Sequence, residues 1–219
     1  MKPLSELINL QEPAWPMVQE WLKGATNDYE VLPKEAEIAE QALHQLQVTT
    51  RSPMGSVVYE TGGILIDGGW LRILGSGHPR LTRSPAAWTA LATKKQAMQI
   101  LLIADDASGG FFALNGGGLG EDLGQVYYLA PDSLGWEALD VGYSDFLRWA
   151  LCGDLAQFYQ TVRWQGWRSD MASLGGDDVY AFFPFLWTEP NRLLDERERA
   201  TVPIAEHWAL TQEFRQQLG

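Results

Sequence analysis

The chain has 219 residues and a formal net charge of −12, a length that suits one large domain or two small ones and allows most apolar side chains to be buried. The charge would repel a phosphate backbone and excludes direct nucleic-acid binding, while favouring association with a basic protein. Cys152 is the single cysteine, which excludes an intrachain disulfide and a thiolate metal cluster; no apolar run reaches about 18 residues and the N-terminus has no basic leader, so a cytoplasmic, non-membrane protein is expected.

From the N-terminus, Leu4, Leu7 and Ile8 form a short helical stripe, and Val18, Trp21 and Leu22 repeat it between Pro16 and Gly24, a proline start and a glycine stop. A third helix follows Pro33, with Glu35 and Glu37 near its start and Ile38, Ala42 and Leu46 on one face. Val57–Tyr59 and Ile64–Ile66 are β-prone. Asp67-Gly68-Gly69 offers a tight turn into a strand over Trp70–Leu74, in which Arg72 is expected at a rim. Ser84 with Pro85 opens a helix to about Ala92.

The stretch from Gln99 to Leu151 organises the chain. Ile100–Ala104 reads as a buried strand whose end, Asp105-Asp106, is expected to emerge into solvent. Gly109-Gly110 turns it back into Phe111–Leu114. The glycine-rich segment from Asn115 to Gly124 leads to a third strand over Gln125–Ala130, and Ser144 is placed to cap a helix carrying Phe146, Leu147, Ala150 and Leu151. Connections this short favour antiparallel pairing over a doubly wound parallel sheet. Gly153 and Asp154 divide the following helical run, which Trp164, Trp167 and Met171 prolong as far as Gly175-Gly176. Val179–Trp187 is β-prone but interrupted by Pro184, Asn191–Arg199 reads as a charged loop, and Pro203 opens a last helix bearing Ile204, Trp208, Leu210, Phe214 and Leu218. No linker, low-complexity stretch or repeat of roughly 20 to 50 residues divides the chain. The expectation is one α+β domain over 1–219, with N-terminal helices over 1–50, a central sheet and helix over 56–151, and a C-terminal helical extension with one strand over 152–219.

The strand ending in Asp105-Asp106, the Gly-Gly-Phe-Phe-Ala-Leu return, Val126-Tyr127-Tyr128 and the start Tyr143-Ser144-Asp145-Phe146-Leu147 resemble, in that order, the signature of the SUKH superfamily. This group of bacterial immunity-type proteins also holds the fungal Smi/Knr cell-wall regulators. With Gly69–Gly77 and Pro184–Trp187 included, the whole chain resembles an uncharacterised bacterial family known only as a domain of unknown function. The superfamily resemblance implies an antiparallel sheet and a non-enzymatic role in which an acidic surface neutralises a toxin or another basic protein domain.

Catalytic motifs are lacking. The glycine-rich loop continues into Glu121, Asp122 and a strand, whereas a phosphate cradle opens a helix and usually has a lysine nearby. Ser76 lies in Gly75-Ser76-Gly77, not in the Gly-x-Ser-x-Gly spacing of a nucleophile elbow, and His78 is too near along the loop to be aimed back at it. The three histidines stand on separate elements, with His44 and His207 expected on exposed helix faces, so neither a metal site nor a cofactor is expected. The partner surface is therefore assigned to the loop end of the sheet, at Asp105, Asp106, Asn115, Glu121, Asp122 and Trp136. The alternative is a small-molecule binding protein or enzyme with a pocket at Trp70, Arg72, His78 and Arg80, where arginine beside an aromatic would read an anion. The sequence is also compatible with self-association.

Overall fold

The computed structural model describes residues 1–93, 99–189 and 192–218. Helices α1 (Leu4–Leu7) and α2 (Trp15–Lys23) lead to strand β1 (Tyr29–Leu32), then α3 (Ala36–Leu46) and α4 (Pro53–Glu60). Next come β2 (Gly63–Ile66), β3 (Leu71–Leu74), α5 (Pro85–Ala92), β4 (Ile100–Asp106), β5 (Phe111–Asn115), β6 (Gln125–Leu129) and β7 (Trp136–Gly142). The chain closes with α6 (Tyr143–Cys152), α7 (Leu155–Phe158), α8 (Trp167–Met171), β8 (Asp178–Phe183), β9 (Glu198–Pro203) and α9 (Ile204–Leu218).

Among the described residues, β1 to β7 form one antiparallel sheet in sequence order, and β8 with β9 forms a separate two-stranded ribbon. The class is α+β, as the short connections require. Asp67, Gly68 and Gly69 all adopt positive φ, which makes the β2–β3 turn tight enough to set Ile66 opposite Leu71.

The sheet is covered on both faces. Ile64, Ile66, Ile73, Ile103, Phe112, Val126 and Tyr128 pack on Val18 and Leu22 of α2, Val57 of α4, and Phe146, Leu147, Ala150 and Leu151 of α6. Leu65, Leu74, Ile100, Leu102, Phe111, Ala113 and Leu129 meet Trp88 of α5, Val179 of β8, and Ile204 and Trp208 of α9. Antiparallel strands usually leave one face to water and alternate accordingly; these are enclosed twice, which explains the unbroken apolar run of β4.

Several elements differ from the expectation. Val57–Tyr59 lies inside α4, because Ser52 accepts a hydrogen bond from Gly55 N–H (3.0 Å) and Pro53 starts the first turn, a cap that outweighs the β-branched pair. The N-terminal region is not wholly helical, since Tyr29–Leu32 pairs with β2 as an edge strand. The buried face of α3 is Ala39, Ala42 and Leu43, with Ile38 turned outward. A fourth strand, β7, joins the central stretch, and α6 starts at Tyr143 with no side-chain cap from Ser144. The C-terminal extension carries two strands: within the segment expected as a loop, Glu198 and Arg199 already pair with Phe183 and Phe182. Asn191 lies outside the described residues. The division after Gly153 is observed, and the Asp154 side chain caps α7 through Gln157 N–H (2.9 Å). Among the described residues no helix is long and apolar enough to cross a membrane.

Candidate functional site

Asp105 and Asp106 do not emerge into solvent; both are fully buried. Strand pairing sets Arg72 of β3 directly opposite Asp105 of β4. Arg72 Nε lies 2.6 Å from Asp105 Oδ1, close enough for an ion pair although the N–H is not aimed along it, while Nη2 donates to the Asp106 carbonyl (3.0 Å). The second carboxylate oxygen of Asp105 receives Arg83, which also binds Asp177 (2.9 Å) and the Gly176 carbonyl (2.7 Å). Arg72 Nη1 donates to the carbonyls of Asp178 (2.6 Å) and Gly175 (3.4 Å). Removing an ion from water costs several kcal/mol unless charge and hydrogen bonds replace the solvent, and here they do.

Burial pulls the Arg72 guanidinium below its usual value, whereas at Arg83 the carboxylates of Asp105 and Asp177 outweigh burial and push it up. Asp177 is held below the ordinary carboxylate range because Arg83 and Thr82 overcome its own desolvation. The carboxylate of Asp106 accepts from Ser108 N–H (2.9 Å), Ser108 Oγ (2.6 Å), Gly110 N–H (3.0 Å) and Tyr128 OH (2.7 Å). Burial still raises its pKa. A β-carbon at Gly110 would collide with this carboxylate and with the Tyr128 hydroxyl, so glycine is required in the turn. These two acids shape the hairpin and fasten residues 175–178 to the sheet.

The alternative pocket is dispersed as well. Trp70 is buried among Tyr159, Trp164 and Trp167, and Arg72, expected at a rim, is 1% exposed. His78 Nδ1 accepts Arg80 N–H (3.1 Å), and the Arg80 guanidinium is held by both oxygens of Glu30 (2.6 and 2.9 Å). A cleft of about 570 Å³ does lie beside Arg72 and Arg80, walled by Gly68, Gly69, Gly175, Gly176, Asp177 and Asp178. Both of its arginines are already neutralised by carboxylates, so it is poorly suited to reading an anion. Ser76 is buried and donates to the Thr61 carbonyl (2.8 Å). His207 is not exposed on its helix: it packs on Phe111, contacts the Gly109 carbonyl (3.2 Å), and burial pushes its pKa down to about 4. Among the described residues no three His, Cys, Asp or Glu side chains are grouped closely enough to hold a metal.

Of the remaining expected residues, Asn115, Glu121 and Asp122 lie together in and beside the β5–β6 loop, whereas Trp136 pairs with Leu129 at the other end of β6, so the expected surface is split. Asn115 is buried and folds the glycine-rich loop around itself: its oxygen accepts from Gly117 (2.8 Å) and Leu119 (3.0 Å), and its amide donates to the Gly120 carbonyl (3.0 Å) and to Asp122 (3.0 Å). Gln99 takes the amides of Gly116 and Gly118. The loop amides are therefore spent internally, as a phosphate cradle's are not. Asp122 accepts the Tyr127 hydroxyl (2.7 Å), which holds its carboxyl below the usual range, and Glu121 is exposed. The Tyr127 phenol is pushed up by Asp122 first and also by Asp140, which brings β7 to this corner.

Glu137, Ala138 and Asp140 are exposed on β7, and Trp136 is half-buried against Trp208. No Lys or Arg lies within ion-pair distance of Glu121, Asp122, Glu137 or Asp140 among the described residues. Sequence reasoning missed Glu137 and Asp140 because it assigned no strand to Trp136–Gly142; the signal was the run Trp136-Glu137-Ala138-Leu139, which alternates only briefly.

Comparison with known proteins agrees across the whole chain. The uncharacterized protein YbfG of Escherichia coli (strain K12) is 51% identical over 216 residues, spanning 99% of this chain and 98% of its own. An uncharacterized protein of Haemophilus influenzae is 41% identical over 211 residues, 95% of this chain and 92% of its own. No solved structure matches. The model of the family described as protein of unknown function DUF2625 matches residues 4–207, and the chain belongs to that family.

Proposed function

We propose that this protein is a non-enzymatic, cytoplasmic binding protein of immunity type, which neutralises a toxin or another basic protein domain through an acidic corner that starts at Glu121, Asp122 and Asp140 and runs along β7 to Glu137. The observation that carries the reading is the contrast in charge pairing: these carboxylates reach the surface with no basic group within ion-pair distance among the described residues, while Asp105 and Asp177 are matched by arginine. The net charge of −12 would accelerate encounter with a basic partner. The SUKH resemblance supplies the immunity-type character.

The test is affinity capture from the native cell with the wild type and with an E121Q/D122N/E137Q/D140N variant. A basic protein retained by the wild type, released as salt rises and lost in the variant is the expected result. Equal retention by the variant, or capture insensitive to salt, overturns the reading. A second reading, a small-molecule site in the cleft beside Arg80, is favoured by that cleft's size, which falls within the range of ligand pockets. Saturable thermal stabilisation by a metabolite, abolished by substitutions in the cleft wall, would establish it.

A further inference from the structure

The edge on which the acidic corner stands has a specific geometry. β7 is the terminal strand of the sheet, paired with β6 on one side. No main-chain bond beyond the sheet is made by Trp136–Gly142 among the described residues. An edge of this kind presents a row of unpaired N–H and C=O groups and is a ready template for another strand. At the opposite edge the charged side chains are already engaged: Glu30 of β1 pairs with Arg80, and Lys34 just beyond the strand pairs with Glu60 (2.7 Å).

The β6–β7 register shifts between Gln125 and Tyr127, so Leu139, Asp140 and Val141 bulge out opposite a single residue, with Asp140 at φ 54°. The bulge ends regular pairing, leaving Trp136–Ala138 as the open length. Glu137 stands on this length, Asp140 lies in the bulge beyond it, and Asp122 lies near the Gln125–Gly142 end of the pair, while the Arg215 guanidinium sits 5.9 Å from the Trp136 ring at the other end.

Resting on the reading of the acidic corner as the binding surface, we propose that the partner engages it by strand addition: an extended segment rich in lysine or arginine pairs with Trp136–Ala138 as an eighth strand. Main-chain bonds to β7 supply affinity, and the carboxylates select the charge of the incoming chain. A second copy of this protein is disfavoured as the occupant, because two such edges would bring Glu137 and Asp140 of each into opposition.

The test uses a labelled peptide of roughly eight residues alternating lysine with valine, at a length typical of strands. A companion of equal charge carries proline in two of the valine positions and a methyl group on the backbone nitrogens of the lysines next to them, which removes donors from both edges of the strand. At low salt the alternating peptide is expected to bind saturably, to slow amide exchange in β7, and to bind at least about tenfold more tightly than the proline version. Equal affinity of the two peptides, protection mapped elsewhere, or no saturable binding overturns strand addition. Concentration-dependent dimerisation of the protein alone that protects β7 overturns it too.

An E137Q/D140N variant, in which asparagine tolerates the positive φ, separates the two levels of the argument. Binding that persists unchanged in this variant overturns the acidic-corner reading itself. Binding that is lost in the variant but indifferent to proline leaves that reading intact and removes the strand.

Discussion

Asp105-Asp106 closes β4 and Glu121-Asp122 lies just before β6; both are adjacent acidic pairs of identical formal charge. Asp105 and Asp106 are sealed beneath the C-terminal extension, with every charge answered by an arginine, a hydroxyl or an amide. Glu121 is left to water, and Asp122 is bonded to its own loop. The difference teaches that an acidic pair becomes structural or interactive according to what the rest of the chain brings to it. Arg72 and Arg83 arrive from β3 and from the loop before α5, whereas no basic residue described here reaches the outer pair.

The sharpest way to break this comparison is to remove the inner charge. Asp105→Ala strands two buried guanidinium groups and is expected to cost about 3–5 kcal/mol, seen as a large loss of urea stability or as failure to accumulate folded protein. The next effect is a pH dependence set by another interior group. His207 has a folded pKa of about 4 against 6.5 unperturbed, so the unfolded chain takes up a proton first as pH falls. Stability is fully present above about pH 6.5 and declines toward pH 4, by up to about 3 kcal/mol, and His207→Gln should flatten that part of the curve. Asp177, held below the ordinary range, loses its contribution only at still lower pH.

Tyr128→Phe removes one donor from the Asp106 carboxylate while keeping the ring against Phe112, and should cost roughly 1.5–3 kcal/mol in a denaturation titration. The smallest effect belongs outside: Glu121→Gln and Glu137→Gln should each change stability by no more than about 0.5 kcal/mol. If the outer substitutions destabilised the fold as much as the inner ones, the distinction between the two acidic regions would collapse.

Much of the architecture is legible in the residues. Asp67-Gly68-Gly69 and Gly109-Gly110 announce their turns, Ser84-Pro85 announces α5, and the short spacings between strands require antiparallel order. Less legible are segments that local pattern cannot decide. Tyr29–Leu32 becomes a strand only because β2 offers an edge, and Glu198–Pro203 only because β8 does. Val57–Tyr59 fits either period, and the preceding Ser52-Pro53 cap decides for a helix. The acidic site was half legible for the same reason. A buried strand followed by two aspartates ordinarily leaves the core, and only the cross-strand register, which sets Arg72 opposite Asp105, reveals that this one does not.

The bond from Arg72 to the Asp178 carbonyl spans 106 residues. A chain growing on the ribosome therefore makes β3 and β4 well before the segment that completes their polar interior has been synthesised. Until that segment docks, two arginines and two aspartates of the nascent sheet must stay hydrated, and long-range closure of this kind is slow. The protein should consequently reach its native state only after residues 175–178 have left the ribosome, and fragments ending before Gly175 should depend on chaperones.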